Sequence, residues 1–253
     1  MILYQYRGNI HDNSKQDKKF FIDLITKGSI KFTAPIDFND PFDCYPNSWG
    51  NELPKGELPH AVVDNCNYML QKSLSQIVGI TCFTPHNDRM LMWSHYASQH
   101  KGICIGFDTD ILIKECRTND HDNPVINSVK KVIYTDERAC EGDSNMFIKK
   151  STEWRYEDEY RLISHAIKGT PQWGPGIWEI PKESIKEVIL GARFPEGIQE
   201  NLVDEIKQYR SDIKLKKAVL DSYSYRIIIE DLDTQANIAQ ERGSLIGPNG
   251  VLI

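Results

Sequence analysis

The sequence lacks the features that would assign it to a membrane, secreted or nucleic-acid-binding class. No apolar run approaches the ~20 residues that a membrane-spanning helix needs, and no basic stretch followed by an apolar one opens the chain. Basic residues are not in excess, because 30 lysines and arginines stand against 36 acidic residues and give a net charge of −6. Such a surface does not attract phosphate backbones non-specifically. We therefore expect a cytoplasmic protein without a membrane partner.

Closely spaced cysteine pairs are also missing. The six cysteines are scattered and form no C-x-x-C motif, which indicates reduced and mostly buried thiols in a chain of 253 residues. Only Cys82 and His86 have a spacing typical of metal ligands, and no second pair completes a set of four. The sequence therefore does not favour a structural zinc site.

What the sequence contains is a mixture of short helix and strand patterns, without an internal repeat or a Pro/Gly/Ser-rich linker. Apolar periodicity predicts helices at about 15–27, 62–74, 89–97 and 198–209, and strands at about 2–6, 29–33, 77–83, 103–107, 129–134, 159–165, 185–190, 213–219 and 223–229. No regular βαβ rhythm appears, so an α+β fold with mixed sheets and flanking helices is favoured. We predict a single domain over residues 1–229 and a polar tail over 230–253, either loosely attached or docking a partner.

The segment W-R-Y-E-D-E-Y-R, residues 154–161, is the strongest candidate for chemistry. The sequence R-L-I-S at its end alternates like a strand, and on a strand Glu157, Glu159 and Arg161 point to one side while Asp158 faces away. Two carboxylates on one face can act on one reacting centre, with the pKa of one raised by the other. The alternative is a solvated acidic patch that pairs with Arg161.

A second candidate is the stretch R-M-L-M-W-S-H-Y-A, which contains Ser94, His95 and Tyr96. Their hydroxyl, imidazole and phenol groups suit a planar ligand that must stack and be hydrogen-bonded. The alternative for His95 and Tyr96 is an ordinary structural role, and this role is favoured for the neighbouring Met92 and Trp93.

The motif F-N-D-P-F-D, residues 38–43, is typical of a structured turn. Its carboxylates could ligate a metal together with His95 or His100. More often, Asn39 and Asp40 in such a turn simply bond the local backbone.

The motif Y-Q-Y-R-G ends the first predicted strand in an arginine and a glycine. Arg7 could clamp a phosphate with two hydrogen bonds, and Gly8 would allow close approach of the backbone. A surface ion pair is the commoner role of any one arginine.

Several of these segments together resemble an uncharacterised bacterial family of unknown function. Its members carry a Tyr-x-Tyr strand, F-N-D-P-F-D, a C-F-S-like strand, M-W-S-H-Y-A followed by K-G, and W-x-Y-E-x-E-x-R. In this chain the motifs lie at 3–7, 38–43, 82–84, 92–97 with 101–102, and 154–161. The resemblance covers residues 3–191 and implies no activity by itself.

The order of the motifs also resembles that of ADP-ribosyltransferases, in which a first-strand Arg or His holds NAD and a late E-x-E supplies the catalytic glutamate. Carried over to this chain, Arg7 of Y-R-G would hold the pyrophosphate, and Thr84 would supply the hydroxyl of the middle Ser-Thr-Ser element. Gln5 stands where another branch has its histidine. Glu159 takes the catalytic place. The resemblance implies a split β-sandwich fold and NAD as the substrate.

The resemblance also implies a role for each further site residue. Departure of nicotinamide leaves a ribosyl cation-like centre, which Glu159 would stabilise by charge. Glu157 would orient or deprotonate the acceptor, and Tyr96 would stack on nicotinamide, with Ser94 and His95 lining the same site.

We therefore expect an NAD-dependent ADP-ribosyltransferase, or an NAD glycohydrolase in which water replaces the acceptor, that serves as a bacterial toxin or phage-defence effector and uses no metal. The expected partners are a protein or nucleic-acid acceptor and an antitoxin or chaperone bound through the tail. Two alternatives remain open. One is a metal-dependent nuclease or phosphohydrolase built on Asp40, Asp43, His95 and Glu157 or Glu159. The other is a non-catalytic sensor or interaction module.

Overall fold

A computed structural model describes residues 1–8, 15–47, 58–116, 129–165 and 174–232 of the chain. Within these ranges lie the α-helices α1 (Lys15–Lys27), α2 (His60–Leu74), α3 (Met90–Tyr96), α4 (Thr109–Cys116) and α5 (Glu196–Tyr209). Short 3-10 helices cover Pro35–Asp37, Thr152–Glu157 and Lys182–Ser184. No helix in the described ranges combines the length and apolar composition needed to cross a membrane.

The strands are short and mostly follow the predicted apolar segments. They are β1 (Ile2–Arg7), β2 (Ser29–Phe32), β3 (Val78–Phe83), β4 (Ile103–Asp108), β5 (Lys130–Lys131), β6 (Ile133–Tyr134), β7 (Lys149–Lys150), β8 (Tyr160–His165), β9 (Gly176–Glu179), β10 (Ile185–Leu190), β11 (Lys214–Leu220) and β12 (Ile227–Asp231). Helices and strands are intermixed, so the predicted α+β class is confirmed. The split β-sandwich of ADP-ribosyltransferases stays a prediction.

Some predicted elements were wrong in detail. The strand predicted at 223–229 begins four residues later, because residues 221–226 form the turn before β12. That strand also ends at Asp231, two residues later than predicted. The predicted strand at 129–134 is split into β5 and β6, while β7, β9 and α4 were not predicted.

The chain divides into two compact units. Unit 1 comprises Met1–Leu3, Thr26–Pro85 and Asp108–Ser184. Unit 2 comprises Tyr4–Ile25, His86–Phe107 and Ile185–Ile253, of which the structure describes residues up to 232. The single domain expected over 1–229 stays a prediction, and almost all of the expected tail lies outside the described residues.

Unit 1 is built around β3, which pairs antiparallel with β8, and β8 pairs in turn with β5. The β-branched and apolar run of β3 predicts burial on both faces, and five of its six residues are buried. Thr33, just after β2, exchanges two backbone hydrogen bonds of 2.9 Å with Ile80 and so attaches the paired strands β2 and β9 to β3. Strand β7, which pairs parallel with β6, comes shortly before the W-R-Y-E-D-E-Y-R segment.

Unit 2 contains the sheet β1-β4-β10-β11-β12, apart from the first two residues of β1 and the last residue of β4. Strands β10 and β11 are parallel, joined through α5, and their outer neighbours β4 and β12 run antiparallel to them. The core of this unit includes the buried apolar residues of β4 and β10 and the buried Leu202 and Ile206 of α5.

Candidate functional site

Five charged side chains form a buried charge cluster in unit 1: Asp43, Lys150, Glu157, Glu159 and Arg161. Lys150 Nζ lies 2.5 Å from Glu157 Oε2, 3.0 Å from Glu159 Oε2 and 3.5 Å from Asp43 Oδ2. None of the four side chains in these pairs is more than 5% exposed. Three carboxylates therefore share one ammonium group out of contact with bulk water.

Arg161 is the second cation of the cluster and is fully buried. Its Nη1 and Nη2 donate to the two carboxylate oxygens of Asp43 at 2.9 and 2.6 Å. Its Nε and Nη2 donate to the two oxygens of Glu159 at 2.7 and 3.1 Å. The fork of a guanidinium matches two carboxylates in this way, and the buried positive charge is thereby compensated.

The local backbone explains why Glu157 and Glu159 meet. Ser151 caps the 3-10 helix Thr152–Glu157 by accepting a hydrogen bond from the Glu153 N–H. Asp158 then turns the chain with a left-handed φ of 45°, so that Glu159 leads into β8. The prediction that Glu157 lies on a strand was wrong, although both glutamates do face one group, Lys150.

Asp158 faces away, as predicted, and pairs with Lys131 at 2.9 Å. Glu157 and Glu159 are each 3% exposed, so the alternative of a solvated acidic patch is wrong. The acidic segment is part of the interior of unit 1, and its charges act there at close range.

The cations set the ionisation of the cluster. Burial alone would raise the pKa of Glu159, but Arg161 and Lys150 outweigh it and hold this pKa well below 4.5. Burial would lower the pKa of Lys150, but Glu159, Asp43 and Glu157 raise it well above 10.5. The expectation that one carboxylate raises the pKa of the other is thus wrong for Glu159. Glu159 is ionised and Lys150 is protonated at neutral pH.

Two thiols and a phenol complete the surroundings of the cluster. Arg161 Nη1 lies 3.3 Å from Cys44 Sγ, and the Cys82 thiol donates to Glu159. Burial raises the pKa of both thiols, which are therefore protonated and unreactive. The Tyr134 hydroxyl accepts the Glu159 backbone N–H at 2.8 Å and fixes the start of β8.

A cavity of about 290 Å³ adjoins the cluster and shares Lys150 with it. Its wall is lined by Phe42, Cys44, Tyr45, Thr135, Asp136, Glu137, Arg138, Ala139, Met146, Lys149, Lys150 and Ser151. Among these lining residues, the Arg138 guanidinium lies 5.0 Å from the centre of the Tyr45 ring and 5.8 Å from that of the Phe42 ring. The volume is at the lower end of the range for small-molecule sites.

The first-strand residues that were predicted to bind NAD lie in unit 2. Arg7 Nε and Nη2 donate to Gln5 Oε1 at 3.0 and 2.7 Å, and the guanidinium lies 5.1 Å from the centre of the Phe20 ring. Burial lowers the pKa of Arg7 to about 10, which leaves it charged at neutral pH. The structure brings Arg7 and Gln5 together, while Thr84 lies fully buried after β3 in unit 1.

Ser94, His95 and Tyr96 lie on α3 in unit 2. His95 is exposed and meets the Tyr96 ring edge-on at 6.2 Å. Ser94 Oγ lies 3.1 Å from His100 Nε2, and the His100 ring stacks on Trp93 at 6.5 Å. Glu157 and Glu159 belong to unit 1, so a shared NAD site for all these residues stays a prediction.

His100 ends a left-handed turn that the sequence did not predict. Ser98, Gln99 and His100 have φ values of 45°, 57° and 69°, which is unusual for three consecutive non-glycine residues. Glycines from the surroundings leave room for this turn: a Cβ at Gly8 would lie 2.3 Å from Ser98 Oγ, and one at Gly191 would lie 2.1 Å from the His100 carbonyl. Close packing therefore holds the strained turn in place.

Among the described residues, no group of three or more His, Cys, Asp or Glu side chains could hold a metal ion, and the metal-dependent alternative stays a prediction. Asp43 and Glu159 each bind both Lys150 and Arg161, and Glu157 binds Lys150. Asp40 Oδ1 accepts the Phe42 N–H at 2.9 Å, the local role expected of this turn.

Sequence reasoning missed Lys150, the residue that joins the cluster to the cavity. A lysine in the pair K-K gives no sign of burial. The available signal was the number of acids in the motifs: buried carboxylates require cations, and Arg161 alone cannot neutralise Asp43, Glu157 and Glu159.

Comparison with known proteins finds one family model that matches part of the chain. The model of a family described as "Protein of unknown function (DUF2971)" matches residues 92–162, from α3 into β8. The predicted resemblance to a family of unknown function is confirmed over these residues, which include Lys150, Glu157, Glu159 and Arg161. The likeness to ADP-ribosyltransferases stays a prediction. No curated protein and no solved structure matches the chain.

Proposed function

We propose that the chain is an NAD-dependent ADP-ribosyltransferase, or an NAD glycohydrolase in which water is the acceptor. The observation that carries the proposal is the meeting of Glu157 and Glu159 at Lys150, with the pKa of Glu159 held well below 4.5. Cleavage of the nicotinamide–ribose bond needs an ionised carboxylate beside the developing positive charge. Glu159 has the required charge at neutral pH.

Glu157 orients or deprotonates the acceptor in this proposal. Its carboxylate and that of Glu159 bind the same ammonium group, which places them around one point and not on opposite faces. One carboxylate can then stabilise the ribosyl cation while the other orients water or an acceptor nucleophile. The contribution of Arg7, Gln5, Thr84, Ser94, His95 and Tyr96 to NAD binding stays a prediction from the sequence.

Access to the carboxylates runs through Lys150 in this proposal. The Lys150 side chain lines the cavity and also contacts Glu157 and Glu159. A substrate ribose that enters the cavity reaches the carboxylates when Lys150 moves aside. The developing positive charge of the ribose then replaces the ammonium charge beside Glu159, so that the buried carboxylate stays compensated.

Incubation of the protein with labelled NAD tests the proposal, in buffer alone and with cell extract. We expect release of nicotinamide or transfer of label, and loss of both in Glu159→Gln. The matched control is Glu153→Gln, an exposed glutamate in the 3-10 helix Thr152–Glu157, which we expect to keep full turnover. The assay temperature is set below the unfolding midpoint of each variant, so that loss of activity does not report loss of fold. Intact NAD with the wild-type protein and extract contradicts the proposal.

A second candidate, a non-catalytic interaction module, is favoured by the complete pairing of the cluster. Arg161 and Lys150 form ion pairs with Asp43, Glu157 and Glu159, as the members of a purely structural network do. If this candidate is right, Glu159→Gln lowers the free energy of unfolding. Neither the variant nor the wild-type protein then turns over NAD. The NAD assay and a denaturation curve on the same variant therefore separate the two candidates.

A further inference from the structure

Strand β12 is at the edge of the five-stranded sheet of unit 2. Among the residues that the structure describes, β12 pairs with β11 alone, with Ile228 opposite Val219. The edge is apolar, and the Ile228 side chain is 42% exposed. An open edge offers a row of N–H and C=O groups to which a further strand can add.

The hairpin between β11 and β12 fixes which backbone groups face this edge. The Asp221 N–H donates to the Arg226 carbonyl at 3.0 Å across the hairpin. Hydrogen-bonded positions alternate along an antiparallel pair. Arg226 and the even-numbered residues that follow therefore turn their backbone groups toward β11, while Ile227 and Ile229 turn theirs away from β11.

The sequence of this edge, R-I-I-I-E at 226–230, is complementary to itself in antiparallel pairing. A two-fold axis through Ile228 places Ile228 opposite its own copy and Ile227 opposite Ile229 of the second chain. The same axis places Arg226 opposite Glu230 twice. Ile227 and Ile229 provide the outward backbone groups for the new hydrogen bonds. The charged pairs fall at the positions between these bonds, where opposite side chains are closest.

The neighbouring register is less favourable. An axis through Ile229 also satisfies the alternation of backbone groups, but it places Ile228 opposite Glu230 and Ile227 opposite Asp231. Apolar side chains then face carboxylates, and no opposite charges meet. The charge pattern thus selects the register centred on Ile228.

We propose that two copies of this chain associate edge to edge through β12, in the register centred on Ile228. The two five-stranded sheets join into one continuous sheet across the two-fold axis. Because the same edge serves both partners, the association closes at a dimer and does not grow into a filament. Ile228, exposed in one chain, is covered by its counterpart.

Sedimentation velocity of the full-length protein over a range of concentrations tests the proposal. We expect a reversible dimer. Arg226→Glu or Glu230→Arg alone raises the dissociation constant about tenfold or more, because each makes both symmetry-related pairs like-charged. Mixing the two variants restores association, since each supplies the charge that the other lacks. Glu200→Arg, an exposed charge reversal on α5, is the matched control and leaves the dimer unchanged.

Circular dichroism checks that each variant keeps its fold. The proposal is overturned if the wild-type protein is a monomer at every concentration, or if the dimer is indifferent to both charge reversals. It is also overturned if the mixture of variants associates no better than each alone. A dimer that forms only after removal of residues 233–253 means that the chain's own tail takes the edge, and that outcome overturns the proposal as well.

Discussion

Arg161 and Asp43 are 118 residues apart in the sequence, yet the guanidinium binds both carboxylate oxygens at 2.9 and 2.6 Å. This contact joins the F-N-D-P-F-D turn to the W-R-Y-E-D-E-Y-R segment. The two motifs, which the sequence presents as separate candidate sites, are therefore parts of one buried cluster.

Removal of the Arg161 charge destabilises the protein strongly. Arg161→Met leaves Asp43 and Glu159 buried without their main partner, a change that costs about 3–5 kcal/mol in comparable buried pairs. Urea denaturation measures the loss. Arg155→Met, an exposed arginine in the same segment, changes the free energy of unfolding by no more than about 0.5 kcal/mol. Equal effects of the two substitutions would contradict this account of the cluster.

The cluster makes the protein acid-sensitive. The folded pKa of Glu159 lies below its ordinary value of 4.5, so the folded state binds fewer protons than the unfolded state in this range. The stabilisation is present above pH 4.5 and is lost as the pH falls through the lowered folded pKa. The free energy of unfolding measured against pH should therefore fall less steeply in Glu159→Gln. If the free energy of unfolding of Glu159→Gln falls with pH as steeply as that of the wild-type protein, the lowered pKa of Glu159 is contradicted.

His100 gives a second pH dependence, nearer neutrality. Burial, and to a lesser extent the Arg193 charge, lower its pKa below 6.5, and its buried Nδ1 has no hydrogen-bond partner among the described residues. Stability is therefore full above pH 6.5 and decreases as the pH falls toward the lowered folded pKa. His100→Gln should remove this step. Proton NMR of the folded protein measures the pKa directly, and a value above 6.5 would contradict the prediction.

Substitution of two glycines by alanine should affect stability differently, because only one of them packs against the left-handed turn. A Cβ at Gly191 would lie 2.1 Å from the His100 carbonyl, so Gly191→Ala forces the turn to move and costs about 1–3 kcal/mol. Gly197, in the first turn of α5, has no atom within 4 Å of a built Cβ, and Gly197→Ala should be neutral or stabilising. Thermal unfolding of the pair provides the comparison. Similar midpoints for both variants would mean that the turn is not packed as described.

The sequence predicts the periodic elements well and the charge cluster only in part. Helix α1 has the bounds that its apolar periodicity predicts, and β10 likewise. The E-x-E segment was assigned to a strand because alternation continues into β8, but the Ser151 cap and the left-handed Asp158 give Glu157 a 3-10 position. Pattern reasoning on a single chain has no access to such local competition.

The missed features depend on contacts between distant residues. Nothing in the letters K-K distinguishes the buried Lys150 from the half-exposed Lys149, which pairs with Asp143 at 2.6 Å. The turn at 98–100 contains no glycine of its own, and its left-handed backbone depends on glycines elsewhere in the chain. Only the fold brings these groups together.

Release of nicotinamide from NAD is the measurement that tests the central claim most directly. The wild-type protein and Glu153→Gln should release nicotinamide at the same rate, with or without an acceptor supplied by cell extract. Glu159→Gln, assayed while folded, should release none above the uncatalysed background. Release by Glu159→Gln at the wild-type rate, or no release by the wild-type protein under any of these conditions, would contradict the assignment of Glu159 as the carboxylate that stabilises the ribosyl cation.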